Sequence, residues 1–193
     1  MQDSRLSKLN VLKVDSGGIP YEWIDAQEAV QCIYAETVLW SMGSIVNTMH
    51  GGYNKHGARS IIEVPSIIAV KGESEIYLPD VPIVCSKEKI FKRDRNMCAY
   101  CGTVFKKREL QAEHIHPKAR GGPFTWMNMV TACNDCNQLK KKCRTPEEAG
   151  MPLVYLPYVP SYWEDFIMRS RNIMADQMEF LMANVPKHSR LRN

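Results

Sequence analysis

No apolar run in this chain approaches the roughly 20 residues that span a bilayer. Its N-terminus has no basic segment followed by an apolar core and a small-residue cleavage site, the pattern of an export leader. The expectation is a soluble, cytoplasmic protein with no membrane partner. Internal repeats and low-complexity tracts are missing as well, so a solenoid or a compositional linker is excluded. An even set of cysteines is also lacking. There are seven, four of them in close pairs, a pattern that in a reducing compartment favours metal over disulfides. What the chain does hold, 45% apolar residues in 193, is enough to bury the core of one domain, or of one with a modest extension.

Basic charge is unevenly spread. Residues 87–144 carry 14 Lys and Arg against 5 Asp and Glu, and the remainder carries 11 against 16. A patch of this kind suits a polyanion, because contacts to phosphates release counterions. A solvated basic face accounts for the same counts.

Taken in order, Leu9 to Val14 alternates like a half-buried strand, and Ser16-Gly17-Gly18 marks a turn. Asp25 and Glu28 form a capping-box pair for a helix through about Ala35. Thr37 to Met42 reads as a strand, and the Gly, Asn and His of residues 47–58 read as a loop. His50 and His56 in that loop are given no role. Arg59 to Val70 predicts two strand pieces split by Pro65 at an edge or bulge. Glu75 to Val84 repeats that style. Lys87 to Arg95 has helical spacing. After a proline-rich connection, Ser161 and Glu164 would cap a single helix running to about Asn184. Its Met-rich apolar stripe suits core packing or a homodimer contact. The tail Lys187 to Asn193 is basic and expected to be mobile. Cys32 reads as a buried thiol, while Cys85 and Cys143 have no evident partner.

Cys98/Cys101 and Cys133/Cys136 are two Cys-x-x-Cys pairs. Each such turn can offer two thiolates to one ion, and two turns close a tetrahedral site with no open position for water, so the site would be structural. Between the pairs lies a polar insert with Glu113-His114, His116, Gly121-Gly122 and Asn128, and Asn137 follows the last cysteine. Imidazole titrates near neutral pH and can serve as a general base, here His114. Glu113 and Asn137 offer hard oxygen ligands suited to Mg2+. Neighbours in a strand point to opposite faces, so a twist or bulge would have to bring Glu113 and His114 around one phosphate.

The pattern C-x-x-C, E-H-I-x-P-x-x-x-G-G, W-x-N-x-V, C-x-x-C-N-x-x-K, from Arg93 to about Met151, resembles the HNH endonucleases. These belong to the ββα-metal (His-Me finger) nucleases, and the resemblance is to the zinc-stapled branch common in bacteria and phages. It implies an α+β fold: a two-stranded antiparallel ribbon carrying the histidine, then a helix carrying Asn137. It implies Zn2+ on Cys98, Cys101, Cys133 and Cys136, and a catalytic Mg2+ or Mn2+ on Glu113 and Asn137. His114 would be the general base, with Asn128 orienting it and holding the intervening loop. Lys118, Arg120, Lys140 and Lys141 would contact DNA. Glu113 stands where the family usually has Asp and is one methylene longer. His116 is read as exposed or supportive.

The domain reading is an N-terminal α+β subdomain at residues 1–86, the nuclease at 87–150 and a helical extension at 151–193. The implied activity is hydrolysis of DNA phosphodiesters to 5′-phosphate and 3′-hydroxyl ends, by nicking or double-strand cutting. A non-catalytic, zinc-stabilised nucleic-acid-binding module stays open as the alternative. So does an assembly partner in phage packaging or anti-phage defence.

Overall fold

The computed structural model describes residues 9–71, 83–141, 143–170, 172–187 and 189–192. In chain order its regular elements are β1 (Val11–Val14), β2 (Pro20–Ile24), α1 (Ala26–Tyr34), β3 (Val38–Tyr53), β4 (Arg59–Val70), α2 (Lys87–Arg93), β5 (Leu110–His114), β6 (Met129–Cys133), α3 (Asn134–Lys140), α4 (Tyr162–Arg169) and α5 (Ala175–Ala183). They divide into two compact units, Met1–Val81 with Ser170–Asn184, and Pro82–Arg169 with Val185–Asn193. Among the described residues no helix is long and apolar enough to cross a membrane.

The first unit is a four-stranded sheet in the order β2-β1-β4-β3. Strand β1 pairs antiparallel with β2 and parallel with β4. Val11, Val46, Val64 and Ile68 pack with Ile24 and with Ala29 of α1 to make its core. The α1 capping box is present: the Asp25 carboxylate accepts from the Gln27 and Glu28 amides, and Glu28 accepts from the Asp25 amide. Proline at 65 does not split β4. It lies opposite Ile45 where the register with β3 shifts, so its missing N–H falls at a bulge.

The largest departure from the sequence reading is at residues 47–58. The expected loop is instead the far half of β3, paired with β4 out to Tyr53 opposite Arg59. Only Asn54 to Ala58 turns. There the Asn54 side chain accepts from the His56 and Ala58 amides, and Gly57 takes φ +78°. Cross-strand pairing with the β-branched run of β4 overrides a composition poor in strand formers. Residues 75–82 of the expected strand Glu75–Val84 lie outside the described residues.

The expected long C-terminal helix is two helices. Ser161 and Glu164 do cap α4 reciprocally. Asp165 then pairs with both Lys89 and Arg169. A fresh start follows at α5, where the buried Gln177 accepts from the Met174 amide and donates to the Asn10 and Ser66 carbonyls. These tertiary hydrogen bonds outweigh the continuous periodicity of the sequence.

The second unit is built on the antiparallel pair β5–β6, in register from Leu110 opposite Cys133 to His114 opposite Met129. Its hub is a buried charge network. Arg93 is fully buried and donates to Asp94 and to the carbonyls of Trp126, Met129 and Tyr158. Asp94 accepts in turn from the Thr131 amide and hydroxyl, each at 2.9 Å, and from Arg190. Arg190 also lies 3.7 Å from the centroid of the Tyr155 ring. The tail, expected to be mobile, is thus held at Arg190 by an ion pair and a ring contact.

Removing one partner of a buried ion pair strands the other charge, at a cost of about 3–5 kcal/mol. Asp94→Ala should therefore lower the unfolding free energy from urea titration by that order, with a lower midpoint, while Asp165→Ala, which leaves only partly exposed cations, lowers it less. Equal midpoints for Asp94→Ala and wild type would remove the network from the account.

Candidate active site

Cys98 and Cys101 lie on a tight loop closed by the Met97–Val104 bridge and by bonds from the Cys98 amide to Thr103 and from the Gly102 amide to Cys98. Cys133 ends β6 and caps α3, and Cys136 sits in the first turn of that helix. The four sulfurs all lie within 4.8 Å of one another. Tetrahedral thiolates about 2.3 Å from one ion stand about 3.8 Å apart, so the set fits a single metal ion. The amides of Tyr100 and Cys136 point at Cys98 and Cys133 sulfur, at 3.5 and 3.4 Å. Burial and the neighbouring sulfurs push the Cys133 and Cys136 thiols up, a repulsion that a divalent cation would relieve. The quartet can hold a structural metal.

This junction lays α3 along β5. Gln111 and Glu113, two apart on the strand, both meet it. Gln111 donates to Asn134 at 3.0 Å and accepts from the Asn137 amide nitrogen at 2.6 Å. Glu113 accepts from Lys140 at 2.7 Å. With its nitrogen committed to Gln111, Asn137 keeps its oxygen clear of hydrogen bonds to described residues. Glu113, His114 and Asn137 all line one cavity of about 560 Å3, together with Gln111, Lys118 and Ala119. No bulge is needed to bring them there. The β5–β6 register runs unshifted, and His114 is the last residue of the strand.

His114 meets Phe124 edge-on, with ring centroids 6.0 Å apart. Its pKa is held below the ordinary histidine value, first by burial and then by the Lys118 and Lys140 charges, with Glu113 opposing. The ring is therefore neutral near pH 7.

The loop from Ile115 to Asn128 is stapled by Asn128. Its carboxamide accepts from the His116 amide at 2.7 Å and donates to the His116 and Pro123 carbonyls. Gly121 takes φ +86°, and a Cβ on Gly122 would lie 1.9 Å from the His116 carbonyl oxygen. The glycine pair thus serves a turn and a close approach of the protein's own backbone. The exposed His116 ring bonds the Arg120 carbonyl.

Residues 98–154 match the family model of HNH endonucleases. This segment is an HNH domain. The ribbon-and-helix core with its four-cysteine cluster is the α+β architecture expected of that family. Nuclease-type function on a nucleic-acid substrate follows at the level of the family. No curated protein matches the chain.

Within the HNH domain the basic residues read as DNA contacts are placed differently from one another. Lys118 is exposed and lines the cavity. Arg120 is exposed but paired with Glu148 at 2.6 Å. Lys141 is exposed at the end of α3. Lys140 needs correction: it is fully buried, and its ammonium bonds Glu113 and the His114 carbonyl, so it cannot meet a phosphate outside. Helical spacing turned it toward β5 instead of solvent. Cys32, expected to be buried, is half-buried against the first unit's core. Gln111 escaped the sequence reading. The signal was there: it lies two residues before Glu113 and so shares its strand face.

If one metal ties the quartet, Cys136→Ser should lose it. Elemental analysis should find one ion per wild-type chain and none in the variant, with faster proteolysis across residues 98–154. A variant that keeps its metal and its protease resistance would contradict that assignment.

Proposed function

We propose that this protein is a metal-dependent endonuclease that hydrolyses DNA phosphodiester bonds in the cavity bounded by Glu113, His114 and Asn137. The observation that supports it most is that these three side chains, far apart in chemistry, line one cavity at the end of the β5–β6 ribbon. Phosphodiester hydrolysis needs a base for water and positive charge at the phosphate. The His114 ring, neutral and without a hydrogen-bond partner among the described residues, is suited to accept the proton of the attacking water. Glu113 and the free oxygen of Asn137 are the residues that would hold Mg2+ or Mn2+. When bound, that ion supplies charge to stabilise the phosphate and the departing oxygen.

Gln111 holds Asn137 with its oxygen free, and Lys140 fixes the Glu113 carboxylate while also tying down the His114 carbonyl. Lys118 stands at the cavity wall for the substrate phosphate. Asn128 braces the loop behind His114, so its part is to position and not to touch substrate. Zn2+ is the ion we assign to the four thiolates.

A second reading rests on the Lys140–Glu113 ion pair. A protein cation already neutralises one carboxylate oxygen, as it would in a zinc-stabilised module that binds nucleic acid without cutting it.

One assay separates the two. Plasmid incubated with protein should be nicked when Mg2+ or Mn2+ is added and left intact without it. His114→Ala should lose about 10²–10⁴-fold of that activity, the usual contribution of a general base, and keep the quartet metal. Gel retardation without nicking at any divalent concentration would favour the binding module. Full activity in His114→Ala would end its assignment as base.

A further inference from the structure

A second concave surface adjoins the cavity. It encloses about 460 Å3, and Lys87, Arg108, Gln111, Phe124 and Asn134 stand on its wall. Gln111 belongs to both surfaces. Phe124, on the groove wall, meets the His114 ring on the cavity side. The two hollows are therefore neighbours along β5.

Their chemistry is lopsided. Among the described residues no carboxylate lines the groove. Lys87 and Arg108 are both exposed, and neither is ion-paired with a described residue. Lys87 lies over the Phe91 ring, 5.6 Å from its centroid, which holds the ammonium without neutralising it. The polar groups on the same wall, Gln111 and Asn134, are bonded to each other and so fixed in place. Phe124 is 48% exposed, an aromatic side chain left open to a partner.

We propose that this groove binds the sugar–phosphate backbone of the strand that is cut in the cavity, with Lys87 and Arg108 contacting phosphates and Phe124 covering a base or sugar. The inference rests on the nuclease reading for the word "cut", while the binding itself does not. Because Gln111 lines both hollows, a strand seated in the cavity can continue into the groove. Two cations without an ion-pair partner, on a wall with no carboxylate among the described residues, match a polyanion. The exposed aromatic favours nucleic acid over an acidic peptide, because every base offers a π-face on which an aromatic side chain can stack.

The test uses the full chain and a fluorescent DNA duplex, with no added divalent cation, so that binding is read without cleavage. Lys87→Ala/Arg108→Ala should bind about tenfold or more weakly at low salt, with a log K against log salt slope smaller by about 2. Lys106→Ala/Lys107→Ala removes the same charge from residues that do not line the groove and should change the slope less. Arg108→Gln alone, on an exposed turn, should lower the slope by about 1 and covers the case in which the double variant fails to fold. Phe124→Ala should weaken binding with no change in slope. A wild-type slope in the Lys87/Arg108 variant, or an equal loss in the Lys106/Lys107 control, would overturn the proposal. So would displacement of an acidic peptide in place of DNA. Wild-type protein that binds through the groove yet never nicks leaves this inference standing and removes the nuclease reading. Nicking with groove-independent binding does the reverse.

Discussion

Four sulfur atoms within 4.8 Å of one another set the corner on which the candidate site of the HNH domain is built. They join the loop at Cys98 and Cys101 to the point where β6 becomes α3. That join decides which face of α3 lies on β5. Gln111 then bonds Asn134 and Asn137, and Glu113 bonds Lys140. A segment of this size has little apolar area to bury, and a metal held by the four cysteines would supply cohesion that its core does not. The staple and the chemistry are therefore coupled through a single strand-to-helix corner.

Electrostatics inside the domain follow from that corner. Burying the Lys140 ammonium would cost several kcal/mol if it stood alone. Glu113 and the His114 carbonyl offset the cost by giving it an ion pair and a hydrogen bond. The same lysine, with Lys118 and with burial, disfavours the protonated form of His114. A single buried residue thus holds the carboxylate, tethers the end of the strand and adds to the burial that disfavours protonation of the neighbouring imidazole. Farther along the ribbon, Asp94 grips Thr131 of β6 and gathers Arg93 and Arg190. The strand ends at Cys133 in the four-cysteine cluster and is held at Thr131 by buried charge.

Local chemistry was the part of this structure written plainly in the chain. The two cysteine pairs predicted the cluster, and Asp25–Glu28 and Ser161–Glu164 predicted caps that form. The ribbon bearing His114 and the helix bearing Asn137 came from the family resemblance and are present. What could not be read depends on partners distant in sequence. The arm of β3 beyond Met42 exists because β4 pairs with it, and its Gly, Asn and His composition gives no such signal. The break between α4 and α5 comes from Gln177 bonding Asn10 and Ser66, more than a hundred residues away. Lys140, in a run of lysines, looks like a solvated charge until α3 is packed on β5.

The central claim is that the quartet-built corner creates a distinct place for a divalent ion and a phosphate beside His114. The most direct measurement is NMR of the histidine rings while Mn2+ is titrated into protein whose thiolate site is already filled. The account predicts paramagnetic broadening of the His114 ring signals, abolished by Asn137→Ala without loss of the thiolate-bound metal. Sharp His114 signals at Mn2+ concentrations that saturate binding would contradict it.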